Sequence, residues 1–128
     1  MSERRTSKRK ELTPLSLENI VSLDNFAKIA KAGAIVDAST NGFRIHVKHS
    51  DLVPVALRQT LTLDSLVGMK ILLHLSVMNL ELTGKIARTK LVGLKTFEIA
   101  VDFTSDAPQF WRECLLDLLP EPGEMESE

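Results

Sequence analysis

The chain has 128 residues, 44% hydrophobic and 5% aromatic, with no Tyr, one Cys and a formal charge of −1. One domain fits that length, and enough Leu, Ile, Val and Ala is present to pack a core without staples. The composition excludes an intrinsically disordered chain, an intramolecular disulfide and, since no apolar run approaches ~20 residues, a membrane-spanning helix.

The charge is unevenly placed. Residues 4–10 hold five basic side chains, and residues 121–128 hold four Glu. Three units are expected: a flexible basic arm at 1–10, a folded body at 11–119 and an acidic disordered tail at 120–128. No apolar h-region follows the basic start, so a secretory signal is not expected and a cytoplasmic protein is.

After the arm, Pro14 marks a non-helical beginning. Leu17, Ile20 and Val21 fit either a helical stripe or a first strand. Phe26, Ile29 and Ala30 stand at helical spacing with Lys28 and Lys31 opposite, so 25–34 reads as a helical turn ended by Gly33. Residues 34–36, Ala-Ile-Val, read as the end of a strand. A turn containing Asn41-Gly42 leads to the strand Phe43–Val47, where Phe43, Ile45 and Val47 alternate with Arg44 and His46. The stretch 49–68 contains Pro54 and reads as a helical turn or a long crossing loop.

Residues 69–77 put Ile71, Leu73, Leu75 and Val77 on one face. Met78-Asn79 turns the chain, and 80–90 returns with Leu80, Leu82 and Ile86 inward. The cleanest alternation is 96–103: Phe97, Ile99, Val101 and Phe103 against Glu98, Ala100 and Asp102. The last element is a helix over 107–119, with Ser105 or Asp106 as cap and Pro108 in its first turn. Its apolar stripe is Phe110, Trp111, Cys114, Leu115, Leu118 and Leu119, which predicts a buried Cys114 thiol. One-faced alternation on five or six short strands requires a shared interior. The fold class is therefore all-β with a C-terminal helix, a small antiparallel β-barrel that hides its edges.

No catalytic constellation stands out, and an enzyme is not expected. His46, His49 and His74 have no Cys or carboxylate at metal-ligand spacing, and neither a nucleophile elbow nor a phosphate-cradling Gly loop occurs. Two short motifs carry chemistry instead. In the arm, Arg5 and Arg9 stand four apart, beside Arg4, Lys8 and Lys10. Each Arg offers a planar fork of donors suited to a phosphate, a guanine O6/N7 edge or a purine face. In the turn, Asp37 and Ser39 are two apart and share a face when extended. A carboxylate accepts the paired N–H donors of a guanine edge, a hydroxyl can donate to phosphate, and Gly42 lets backbone come close or take a positive φ. Separately, these are a basic tail and ordinary turn residues. Together, cationic forks and an anionic, hydroxylated turn complement a guanine nucleotide.

Arg5–Arg9 as R-x-x-x-R and Asp37–Gly42 as D-x-S-x-x-G resemble the PilZ domain family, bacterial receptors for the second messenger cyclic di-GMP. The resemblance extends to Gly68 before a long strand, to Gly84–Arg88 as G-x-[IV]-x-R, to Ile99–Phe103 as I-x-V-x-F and to the final helix. It implies a six-stranded antiparallel barrel. It also implies that Arg5 and Arg9 grip guanine edges and phosphates, that Asp37 and Ser39 contact guanine and phosphate, that Gly42 allows the close turn, and that Arg4 substitutes in register or adds a phosphate contact. The ligand is then cyclic di-GMP, in the family often an intercalated dimer, with no further cofactor. Binding orders the arm and recruits a downstream protein effector. The alternative is a protein-interaction module with an idle nucleotide site. A nucleic-acid binder is not expected, since the strands offer almost no exposed aromatics for base stacking and the net charge is −1.

Overall fold

The computed structural model describes residues 9–119, apart from Asn25, Leu61 and Asp106; the side chains of residues 9–13 and Val77 are not among those described. Most of the expected arm (1–8) and the expected acidic tail (120–128) lie outside the described residues. Six strands, β1 (Arg9–Ser22), β2 (Lys28–Ser39), β3 (Gly42–Lys48), β4 (Lys70–Leu75), β5 (Leu80–Leu91) and β6 (Thr96–Asp102), pair antiparallel in the order β1-β2-β3-β6-β5-β4 and close into a barrel through the β1–β4 ladder. The short helix α1 (Val55–Arg58) lies in the connection from β3 to β4, and α2 (Gln109–Leu118) follows β6. No helix among the described residues is long and apolar enough to cross a membrane.

Alternation builds the β3, β4 and β6 walls and β5 as far as Ile86 as the sequence predicts; past it, Ala87 is an extra residue against β6. Phe43, Ile45 and Val47 point inward from β3, Ile71, Leu73 and Leu75 from β4, Leu82 and Ile86 from β5, and Phe97, Ile99 and Val101 from β6. Phe43 and Phe103 meet edge to face at 5.1 Å, the arrangement favoured by the ring quadrupoles. β4 ends at Leu75, and Val77 falls in a 3₁₀ turn, which the left-handed Asn79 (φ 49°) closes. Leu52, Leu63 and Leu66 of the β3–β4 connection are buried, as are Leu115, Leu116 and Leu119 at α2. Each such Leu contributes about 2 kcal/mol by leaving water.

Three expectations are corrected. The described residues of 25–34 hold no helical turn: from Lys28 onward they belong to β2. The helical spacing is the signature of bulges. Against β1, Ile29 is an extra residue between the partners Lys28 and Ala30, and against β3, Val36 is extra between Ile35 and Asp37. Each extra residue moves the inward face by one. Hence Ile29 and Ala30 are both buried, and Ile35 and Ala38, three apart, both face the core. The same device in β1, near Asn19 at φ 58°, puts the spacing of three between Leu17 and Ile20 and settles that stretch as strand.

The second correction concerns Cys114, whose thiol is exposed. The barrel receives only Leu115, Leu116 and Leu119 fully and Trp111 in part, so the broad stripe divides. Phe110, Cys114 and Leu118, at i, i+4 and i+8, form a neighbouring stripe that faces out. Third, α2 starts at Gln109 with Pro108 as N-cap and no side-chain cap. Ser105 does not cap it, and Asp106 lies outside the described residues.

Candidate functional site

The bulge at Val36 does more than kink β2. Without it, Asp37 would share the inward parity of Ile35. With it, Ala38 is the buried residue, while Asp37 and Ser39 stand on the outer wall. A bulge commonly re-aims a side chain in this way. β2 then ends, Thr40 and Asn41 make the turn, and β3 begins at Gly42.

Gly42 has no positive φ. Its requirement is a close approach, because a Cβ there would run into the Val101 carbonyl oxygen of β6. The expected glycine freedom thus serves the β3–β6 contact, where Gly42 lies opposite Asp102. The Ser39 hydroxyl accepts the Asn41 N–H at 3.1 Å and lies 3.5 Å from the Gly42 carbonyl oxygen. One hydroxyl therefore shapes the turn and retains acceptor capacity toward the outside.

Asp37, Ser39 and Gly42 line one groove of about 590 Å³, within the size range of small-ligand pockets. Its other walls come from Arg44 of β3, Arg88 of β5 and Ala100 and Asp102 of β6. Sheet order, not chain proximity, assembles them: Asp37 is opposite Arg44, Arg44 opposite Ala100, and Ala100 opposite Arg88. The methyl of Ala100 leaves a low floor between two guanidinium groups. β1 forms the remaining border, with Arg9 opposite Ser39 and Glu11 opposite Asp37 in backbone register. The side chain of Arg9 is not among those described, and Arg4 and Arg5 lie outside the described residues.

Arg44 donates from both Nε (3.0 Å) and Nη2 (2.8 Å) to Oδ2 of Asp37. Its Nη1 stands 3.6 Å from Oε2 of Glu98, whose Oε1 is 3.1 Å from Nε2 of His46. Arg88 has no side-chain hydrogen bond or ion pair among the described residues. Among those residues no group of three or more His, Cys, Asp or Glu is placed to hold a metal ion. The sequence reading missed Arg44 and Glu98 as members of this site and gave Arg88 no binding role. Their signal is the β3–β6–β5 adjacency, which spans more than forty positions of chain for Arg44 and Arg88.

No family model matches the sequence, and no curated protein matches it. Among solved structures, the PilZ domain with c-di-GMP of YcgR from Escherichia coli is similar, with a TM-score of 0.53 at 14% identity, over 91% of this chain and 92% of that chain. At that identity the likeness concerns architecture: the chain has the fold of a PilZ domain, a closed six-stranded antiparallel barrel with one C-terminal helix.

Proposed function

We propose that this protein is a receptor for cyclic di-GMP in the bacterial cytoplasm, not an enzyme. The observation that carries the reading is the outward pair Asp37 and Ser39, set in a groove whose border strand brings Arg9 opposite Ser39. The Asp37 carboxylate accepts the N1/N2 edge of one guanine. Ser39 and the close backbone at Gly42 serve the adjoining phosphate. Arg9 and Arg5, with Arg4 beside them, supply forks for guanine edges and phosphates from the arm, and Arg88 adds one from the far wall. The ligand is expected as an intercalated dimer, and the stoichiometry of a titration tests that.

Ordering of the basic N-terminal arm over the ligand is the signalling event, and it changes the surface offered to a downstream effector. That ordering costs entropy, so affinity is expected at about micromolar, on the order of −8 kcal/mol.

Calorimetric titration with cyclic di-GMP tests this and yields stoichiometry. Heat with a saturating isotherm is expected. Arg9→Ala and Asp37→Ala should each weaken binding at least about tenfold, or about 1.4 kcal/mol. The interaction-module alternative has one observation in its favour, since Arg44 already occupies one oxygen of Asp37. A folded protein that gives no heat at tens of micromolar nucleotide (about tenfold above the expected Kd) would decide for that alternative.

A further inference from the structure

The tip of the β5–β6 hairpin departs from the usual chemistry of turns. Gly, Asn, Asp, Pro and Ser dominate such places, yet residues 90–95 read Lys-Leu-Val-Gly-Leu-Lys. Leu91, Val92 and Leu94 are all exposed, Leu94 at 96%. The Val92 N–H donates to the Thr96 carbonyl oxygen at 2.9 Å and closes the turn. A Cβ on Gly93 would meet nothing within 4 Å. The tip therefore stands clear of the barrel as a convex apolar knob.

A lone surface Leu is ordinary, but this one has company. Antiparallel order puts the β1–β2 hairpin, the end of β3, the start of β4 and this tip at one end of the barrel, with the β2–β3 turn at the other. Phe26, Val53, Val55 and Val67 are exposed at the same end as the tip. The other large hydrophobics exposed among the described residues, Phe110 and Leu118, belong to α2, which is clasped to the β2–β3 turn. Apolar surface gathered at one place marks an interaction site. Its rim is cationic. Lys90 and Lys95 flank the tip, Lys48 ends β3 opposite Thr96, Lys28 begins β2 and Arg58 closes α1, and all five are exposed. The acidic groups described at this end are Asp24, Asp51 and Asp64, with Glu98 opposite Lys90 but nearly buried against Arg44 and His46.

We propose that this end of the barrel docks on an anionic lipid bilayer, with Leu91, Val92 and Leu94 inserted at the headgroup boundary and Lys90, Lys95 and Lys48 against the lipid phosphates. Apolar side chains settle where headgroups meet acyl chains, and cations beside them are held by anionic lipid. The charge of the rim selects an anionic surface. The shape selects a bilayer over a protein: a convex knob of small area suits a medium that parts around it, whereas a protein would need a pocket cut to fit. Docked in this way, the chain keeps the β2–β3 turn and the groove beside it turned away from the membrane. No residue is shared with the nucleotide site, so the inference stands apart from the receptor reading.

The test is co-sedimentation of the full chain with vesicles of phosphatidylglycerol and phosphatidylethanolamine in equal parts, against vesicles of phosphatidylcholine, with circular dichroism to verify each variant's fold. Binding to the anionic vesicles is expected, weaker on phosphatidylcholine and falling as salt rises. Leu94→Asp should lower affinity for anionic vesicles about tenfold or more, and Lys90→Gln combined with Lys95→Gln about tenfold. Phe110→Ser, which removes a side chain 72% exposed on α2, should bind like the parent. Insertion is read separately by fluorescence. Leu94→Trp should emit further to the blue when anionic vesicles are added, while the parent, whose one Trp is Trp111, should show no shift. The lysine pair and Leu94→Trp carry the test if Leu94→Asp does not fold.

A folded parent that does not sediment with anionic vesicles would overturn the proposal and leave the tip to a protein partner. So would equal binding to both kinds of vesicle, tip variants that bind like the parent, or a loss in Phe110→Ser as large as that in Leu94→Asp. A blue shift of Trp111 in the parent would put the α2 end in the membrane instead, and would overturn it as well.

Discussion

At the scale of single residues, Gly42 shows how a short motif serves the fold as well as a ligand. Its Cα hydrogen faces the backbone of Val101 in β6, and no side chain of any size fits between them. Gly42→Ala must push β3 away from β6 at the point where the groove floor is formed. A cost of about 1–3 kcal/mol is expected, read as a lower denaturant midpoint at unchanged slope; an unchanged midpoint would show that the strands separate freely there. Asp37 and Ser39 were legible as a pair because their types and spacing are local facts. Arg44 was not, although it is only seven positions from Asp37. In plain alternation it was one more outward cation on β3. Its meaning comes from the bulge at Val36, which turns Asp37 outward to meet it, and no residue type at 36 announces a bulge.

At the scale of elements, the β2–β3 turn and α2 are tied together. Arg112 of α2 donates to the Thr40 carbonyl oxygen at 2.6 Å and to Oδ1 of Asn41 at 3.3 Å, while its Nε donates to the Ala107 carbonyl oxygen at 3.0 Å. Thr40 is buried, so Arg112→Ala leaves its carbonyl without that charged partner, a loss of about 1–3 kcal/mol. Hydrogen exchange is the suited measurement. Amides of α2 and of the 40–42 turn should exchange faster in the variant, with β4 unchanged; equal acceleration everywhere would show that the clasp supports the whole fold instead. Leu115→Ala, by contrast, empties a buried position and should cost about 2–5 kcal/mol globally. The strands β3, β4 and β6, and β5 as far as Ile86, were readable because each keeps one parity over that length; beyond it an extra residue at Ala87 moves Arg88 to the outer wall. β1 and β2 were not, because bulges break parity and imitate a helical period. The exposed Cys114 was misread for a related reason: a stripe of apolar residues states what could be buried, and only the docking of α2 decides which half of it is.

At the scale of the whole molecule, closure of the barrel sets what a ligand can do to stability. The ladder from β1 to β4 leaves no free edge among the six strands, and both the β3–β4 connection and α2 add residues to the one buried cluster. Such a body should unfold in a single cooperative transition. A ligand held between the β1 border and the β2, β3, β5 and β6 walls binds only the closed form, because unfolding disperses every group that contacts it. Its free energy then appears in full as stability: about 2.7 kcal/mol at a ligand concentration one hundred times Kd. For a domain of this size that is a rise of roughly 10 °C in Tm, continuing with the logarithm of ligand concentration. The measurement is a thermal melt followed by circular dichroism, in the parent chain and in Asp37→Ala at the same nucleotide concentrations. A single transition that climbs for the parent and lags for the variant is expected. A parent Tm that stays flat at concentrations where calorimetry reports saturation would place the nucleotide somewhere other than this groove, since a ligand there cannot bind the native barrel without stabilising it.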